Sequence, residues 1–106
     1  QLQPTLERTG FELSEIRHTP PHYVPLQTPF LQTILRLYRE ETGDLQSQPA
    51  TMGGGTYARV MPNLVAIGAA FEGDGNAHEP DERIAIDSLK KLVRLYARIL
   101  EELANL

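Results

Sequence analysis

A histidine surrounded by carboxylates is the part of this sequence best suited to metal chemistry. His78 lies in the segment NAHEPDERI, with Glu79, Asp81 and Glu82 as neighbours. A neutral imidazole can donate a lone pair to a divalent ion, and carboxylates often complete such sites. Pro80 interrupts the segment, which predicts a loop and not the helical HExxH zinc motif. His78 is therefore a candidate metal ligand; the alternative is a surface histidine in a solvated acidic loop.

A run of glycines supplies the second candidate site. Three of them, Gly53, Gly54 and Gly55, precede Thr56 in the segment ATMGGGTYARV. Glycines leave backbone N–H groups unobstructed by Cβ atoms, and N–H groups at the start of a helix favour anions. We therefore predict an oxyanion or carboxylate site at Gly54, Gly55 and Thr56. The segment lacks the lysine of a P-loop and the spacing of a dinucleotide-binding motif, and a flexible turn is the alternative.

The elements that must position these residues are two helices and an apolar extended segment. Thr28 predicts an N-cap, and Pro29 the first position, of a helix that ends at Gly43. A second helix, capped by Asp87, carries a stripe of apolar side chains toward the last residues. The unbroken apolar run of residues 64–70 predicts a strand covered on both faces. We therefore predict an α/β fold, a layer of strands with flanking helices.

A proline-rich connector divides the sequence. Residues 2–9 predict a helix stopped by Gly10, and residues 11–17 an extended segment. The segment HTPPHYVP that follows holds three of the eight prolines, which restrict the backbone to extended conformations. We predict a domain boundary here, between residues 1–19 and 20–106, and we interpret His18 and His22 as surface residues.

Composition excludes several classes of protein. The chain has 106 residues, a net charge of −4 and 41% hydrophobic residues, which indicates a globular protein without the basic patch that nucleic acids require. The absence of cysteine excludes disulfides and thiolate metal sites and is consistent with a reducing compartment, so we expect a cytoplasmic location. No apolar segment approaches the length of a membrane span. We interpret the start QLQPTLERTG, without Met or signal-peptide pattern, as a boundary inside a longer protein.

The glycine run, the apolar run and the histidine loop together resemble a known family. The segments ATMGGGTYARVMPNLVAIGAAF and AHEPDERIAIDSLKKLVRLYARILEELA are similar to the C-terminal end of the aminoacylase/carboxypeptidase/carnosinase-type metallopeptidases. The branch of PepV-type dipeptidases fits best, and YVPLQTPFLQTILRLYREETG matches the helix before the glycine loop. The resemblance covers the chain from about Phe11 to its last residue.

The resemblance implies a function for each candidate site. Members hold two divalent ions, usually zinc, with manganese or cobalt as alternatives, in an α/β catalytic domain with an inserted lid domain. It assigns the last metal-binding histidine to His78 and the loop for the substrate's carboxylate to Gly54, Gly55 and Thr56. It also implies that residues 1–19 are the last helix and strand of an α+β lid and that residues 20–106 are the C-terminal part of the catalytic domain.

The general base and the other metal ligands lie upstream in this family, so no catalytic residue is predicted in this chain. We expect a dipeptide as substrate, a catalytic half outside this sequence as partner, and no activity from these residues alone. Self-association is also predicted, because apolar surface that the catalytic half would cover is exposed without it. The alternatives are a non-catalytic α/β module for protein interaction and a small protein that binds anions through the glycine loop.

Overall fold

The computed structural model of the chain describes residues 3–11, 14–15, 17–68 and 70–106. Its regular elements are the helices α1 (Gln3–Arg8), α2 (Pro29–Thr42) and α3 (Ile86–Ala104), and one turn of 3₁₀ helix (Tyr57–Val60). No helix in the described ranges combines the length and the apolar character that a membrane crossing requires.

Helix α2 begins and ends close to the predicted residues. Pro29 occupies its first position, and Gly43 ends it with a left-handed φ of +73° and an N–H that donates to the Arg39 carbonyl at 2.9 Å. The predicted side-chain cap is wrong: the Thr28 hydroxyl accepts no hydrogen bond from a helix N–H, and it donates to the Pro25 carbonyl at 2.6 Å. The helix thus depends on proline and glycine for its limits more than on a polar cap.

Helix α3 begins without the predicted cap. Asp87 lies in its first turn, and the preceding residue, Ala85, has no side chain that could accept a hydrogen bond. A carboxylate from outside the helix takes that place, since Asp74 Oδ1 accepts the Ala85 N–H at 2.9 Å. A negative charge is favourable there because it faces the positive end of the helix dipole.

Helices α2 and α3 form an antiparallel pair that contains the core. Leu37 of α2 packs with Leu95 and Ile99 of α3, and all three are buried. Ion pairs border this contact and show the antiparallel direction, because residues later in α2 pair with residues earlier in α3. The pairs are Arg36–Glu102 at 2.7 Å, Arg98–Glu40 at 2.5 Å and Arg94–Glu41 at 2.7 Å.

The apolar stripe predicted for α3 divides into two faces. Leu92 and Ile99 are 5% exposed and face the interior, whereas Val93 and Leu100 are 63% and 70% exposed. Apolar residues one position apart point about 100° from each other on a helix, so one partner helix cannot cover both faces. The predicted self-association of the chain stays a prediction.

The predicted α/β fold is wrong for the part of the chain that the structure describes. No described residue belongs to a strand, and residues 64–68, the described beginning of the predicted buried strand, have no regular secondary structure. A strand exists through hydrogen bonds to a neighbouring strand, and none of the described segments provides them here. Side chains hold the segment in place of a sheet: Tyr96 donates to the Gly68 carbonyl at 2.9 Å, and Ile67 packs against the core.

The N-terminal part carries the predicted helix as α1, followed by Gly10 with a φ of +78°. Residues 12, 13 and 16 of the predicted extended segment lie outside the described residues. The boundary between residues 1–19 and 20–106 stays a prediction.

Candidate functional site

The glycine segment forms an exposed entry to the 3₁₀ turn. Gly53, Gly54 and Gly55 are exposed, and Thr56 is half-buried. Thr56 starts the turn, since its Oγ1 accepts the Ala58 N–H at 3.2 Å. The helical turn Tyr57–Val60 thus follows the glycines and Thr56 directly in the sequence.

Three segments of the chain line a half-open cavity of about 580 Å³ beside the glycines. Its wall comes from the connector after Pro20, from the glycine segment with the residues before it, and from the apolar run. Gly54 and Thr56 line the cavity, together with His22, Arg59 and Leu64. Two of the three residues predicted for carboxylate binding, Gly54 and Thr56, therefore share a concave surface with the positively charged side chain of Arg59.

Arg59 lines this cavity and is not among the candidate residues named from the sequence. A Cβ atom built on Gly55 would lie 3.4 Å from Nη1 and 3.7 Å from Cδ of Arg59, so the arginine side chain lies directly beside this glycine. Nη2 donates to the Pro20 carbonyl at 3.4 Å, and among the described residues Arg59 has no carboxylate partner. The sequence contains one feature that could have pointed to Arg59: it is the single Lys or Arg between Arg39 and Arg83.

His22 has a structural contact that the interpretation as a surface residue did not anticipate. Its Nε2 donates to the Leu64 carbonyl, with 2.6 Å between the two atoms. The bond ties the proline-rich connector to the apolar run and so closes one side of the cavity. His18, in contrast, is exposed and has no hydrogen bond within the described residues.

His78 lies on an exposed loop between the apolar run and α3. The residue is exposed, and its backbone is left-handed with a φ of +67°. Its N–H donates to Glu82 Oε2 at 3.4 Å. The ring has no hydrogen-bond partner among the described residues, so its nitrogens are available to a ligand.

Asp74 carries the principal electrostatic feature of this loop. Hydrogen bonds lower the pKa of its carboxyl below the ordinary value of 3.8. The largest contribution comes from the Ser88 hydroxyl, followed by the N–H groups of Ala85 and Phe71, with a smaller one from the charge of Lys91. Asp74 is therefore a carboxylate across the neutral range, and it holds both ends of the loop that contains His78.

The structure groups some of the predicted site residues and not others. Gly54 and Thr56 line the cavity and Gly55 borders Arg59, whereas His78 is not part of the cavity wall. In the described ranges no three His, Cys, Asp or Glu side chains are grouped closely enough to hold a metal ion. His78 can thus offer one ligand, and the residues described here do not complete a metal site around it.

A family model and three named relatives relate this chain to the same class of proteins, the peptidases. The model of peptidase family M20/M25/M40 matches residues 3–102. The chain is 39% identical over 106 residues to "Putative dipeptidase YtjP" of Bacillus subtilis (strain 168), which covers 98% of the chain and 23% of that protein. It is 36% identical over 99 residues to "Putative dipeptidase SSP1012" of Staphylococcus saprophyticus, which covers 92% of the chain and 21% of that protein.

A third relative, "Putative dipeptidase SAUSA300_1697" of Staphylococcus aureus (strain USA300), is 35% identical over 99 residues, with 92% of the chain and 21% of that protein covered. The chain thus spans between a fifth and a quarter of the length of these relatives. No solved structure matches it at a significant level.

Proposed function

Because the chain belongs to peptidase family M20/M25/M40, we propose that it is the C-terminal part of a metal-dependent dipeptidase. The resemblance of the GGGTYAR and AHEPDE segments to metallopeptidases, noted from the sequence, supports this assignment. So do the three relatives above, each of which carries the name "Putative dipeptidase". The proposed substrate is a dipeptide with a free carboxylate.

The observation that carries the proposal is that Arg59 lines the same cavity as the glycine segment. A carboxylate that enters the cavity beside Gly54 and Thr56 would meet a guanidinium that has no acidic partner among the described residues. Guanidinium and carboxylate match in shape and form charge-assisted hydrogen bonds. Arg59 would therefore supply the charge, and the glycine segment would supply N–H donors without side chains in the way.

The proposed role of His78 is that of one metal ligand. Its exposed ring with uncommitted nitrogens fits that role, and the residues described here supply no further grouped ligands. His78 would hold one of two divalent ions, which we propose to be zinc, and such ions would supply Lewis acidity to the scissile carbonyl and to a bound water. The imidazole of His78 would contribute a ring-nitrogen lone pair to the ion.

The free carboxylate of the substrate provides a direct test. In the full-length enzyme we compare hydrolysis of a dipeptide with that of the same dipeptide carrying a C-terminal amide. The amide should have a KM roughly ten- to a hundredfold higher, because a hydrogen bond to a charged group contributes about 1.5–3 kcal/mol. Arg59→Ala should raise the KM of the free acid by a similar factor and leave that of the amide nearly unchanged.

The alternative is a non-catalytic module that binds anions through the same cavity, and the same experiment separates the two functions. Binding of a small carboxylate that depends on Arg59, without hydrolysis of any dipeptide by the full-length protein with zinc, would favour the module. Hydrolysis that a chelator abolishes would support the dipeptidase, provided that the KM is lower for the free acid than for the amide and that this difference depends on Arg59. Equal KM values for the acid and the amide would show that the cavity does not bind the substrate's carboxylate.

A further inference from the structure

The loop that carries His78 contains several residues with left-handed backbones. Gly73, Asn76, His78 and Asp81 have φ angles of +90°, +89°, +67° and +59°. Such angles are uncommon for residues other than glycine, because the Cβ atom approaches a neighbouring carbonyl. A loop retains several of them only where its contacts determine the conformation. This loop therefore has a specific shape that other groups of the chain must maintain.

The side chain of Asn76 joins two points beyond His78 in the sequence. Its Nδ2 donates to the Pro80 carbonyl at 2.9 Å, and its Oδ1 accepts the Arg83 N–H at 3.2 Å. Its backbone carbonyl also accepts the Glu79 N–H at 3.0 Å. Residues 77–79, with His78 in the middle, are thus enclosed by hydrogen bonds that start from one residue.

Asp74 forms hydrogen bonds that span a wider part of the same loop than those of Asn76. It accepts the N–H groups of Phe71 at 3.1 Å and Ala85 at 2.9 Å and so connects the loop to the start of α3. Those contacts lie outside residues 76–83 and leave the turn around His78 to other groups. Asn76 spans this turn with two side-chain hydrogen bonds, and Glu82 adds one weaker contact, in which its Oε2 accepts the His78 N–H at 3.4 Å.

We infer that Asn76 is a positioning residue, whose side-chain amide holds His78 in its left-handed conformation before a metal ion binds. The inference rests on the proposed role of His78 as a metal ligand. A ligand held in advance does not have to be ordered when the ion binds, which favours binding. Groups that orient metal ligands typically change metal affinity or activity by about 10- to 100-fold when they are lost.

The test uses variants of the full-length enzyme, with zinc affinity measured by competition with a chromophoric chelator. Asn76→Gly removes both side-chain hydrogen bonds, and glycine tolerates the φ of +89° at this position. Asn63→Gly is the matched control, since Asn63 also has a left-handed φ, +60°, but lies outside the loop. We expect Asn76→Gly to weaken zinc binding by about tenfold or more, and Asn63→Gly to leave it unchanged.

Kinetics at different zinc concentrations separate positioning from a general structural role. The imidazole remains present in Asn76→Gly, so saturating zinc should restore kcat, with the KM for the dipeptide unchanged throughout. His78→Ala lacks the ligand and should not recover in this way. A purely structural role of Asn76 would lower the thermal stability of the metal-free enzyme without changing the zinc affinity of the folded fraction.

A second variant keeps the inference testable if Asn76→Gly does not fold. Asn76→Asp retains an acceptor for the Arg83 N–H but cannot donate to Pro80, so it should weaken zinc binding by a smaller factor. Wild-type zinc affinity in whichever of the two variants folds, with weakened affinity in His78→Ala, would overturn the inference and leave the proposed function intact. Unchanged zinc affinity in His78→Ala would instead overturn the metal-binding role on which the inference rests.

Discussion

The carboxylate of Asp74 accepts the backbone N–H of Ala85 at 2.9 Å, although the two residues are 11 positions apart. Ala85 directly precedes α3 and cannot cap it with its own side chain. The interaction therefore gives the helix its N-terminal acceptor and at the same time closes the loop that contains His78. One residue outside the helix thus couples the position of the candidate ligand loop to the α2–α3 pair.

Acidification should remove the stabilisation that Asp74 provides. Its folded-state pKa is lowered below the ordinary value of 3.8, so the stabilisation is complete above that value and is lost as the pH falls through the folded-state pKa. We expect Asp74→Asn to lower the thermal midpoint of the chain at neutral pH, with a difference from wild type that shrinks in acid. Thermal unfolding followed from about pH 7 to about pH 2 measures this difference.

Asp81→Asn is the control for that series, because Asp81 belongs to the same loop and accepts no hydrogen bond among the described residues. Its midpoint should follow that of wild type at every pH. A difference for Asp74→Asn that stays constant or grows on acidification would contradict the proposed role of the carboxylate.

Two leucines of α3 should differ sharply in their contribution to stability. Leu95 is 1% exposed in the core, whereas Leu100 is 70% exposed on the second apolar face. Leu95→Ala should lower the free energy of unfolding by about 2–5 kcal/mol through the cavity it leaves. Leu100→Ala should stay within about 0.5 kcal/mol of wild type. Denaturant unfolding of both variants checks the prediction, and equal losses would contradict the assignment of the two faces.

Gly55→Val should impair the binding of substrate by the full-length enzyme while the fold is retained. The new Cβ would lie 3.4 Å from Arg59 Nη1, and its branches would displace the guanidinium or block the approach of the carboxylate. We expect a raised KM for the free dipeptide and little change for its C-terminal amide. Steady-state kinetics with both substrates measures the effect, and an unchanged KM in a well-folded variant would exclude Gly55 from the site.

The isolated 106-residue chain should not hydrolyse dipeptides, even with added zinc or manganese. The resemblance places the general base and most metal ligands upstream of these residues, and His78 alone cannot form a catalytic metal site. A sensitive assay for released amino acids tests this prediction, with the full-length enzyme as the positive control. Turnover by the isolated chain that a chelator abolishes would show that this chain contains a general base and enough metal ligands for catalysis.

Local signals in the sequence predicted the helices well and the extended segments poorly. Proline at the first position and a left-handed glycine at the end determine α2 through neighbours in the chain, and the structure confirms both. The apolar run at residues 64–68 is different, because a strand requires a hydrogen-bonding partner that the described residues do not include. The cap of α3 was missed for a related reason, since Asp74 reaches it from a distant part of the sequence.

In the candidate site, too, features set by neighbouring residues were predicted and contacts between distant segments were not. The motif resemblance to metallopeptidases was confirmed by the match to peptidase family M20/M25/M40, because such motifs are contiguous in the sequence. Arg59 and His22 were not predicted as site residues, since their contacts with Gly55, Pro20 and Leu64 join segments that only folding brings together. The metal-binding role of His78 and the carboxylate-binding role of the glycine segment stay predictions.

The most direct test of the account is the metal content and dipeptide turnover of the full-length enzyme with His78→Ala. His18→Ala is the matched control, because His18 is also exposed and was assigned no role. We expect His78→Ala to fold, to lose one of two bound zinc ions on dialysis and to lose activity by orders of magnitude, while His18→Ala keeps both. Two retained ions with full turnover in His78→Ala would contradict the account and leave His78 as an ordinary loop histidine.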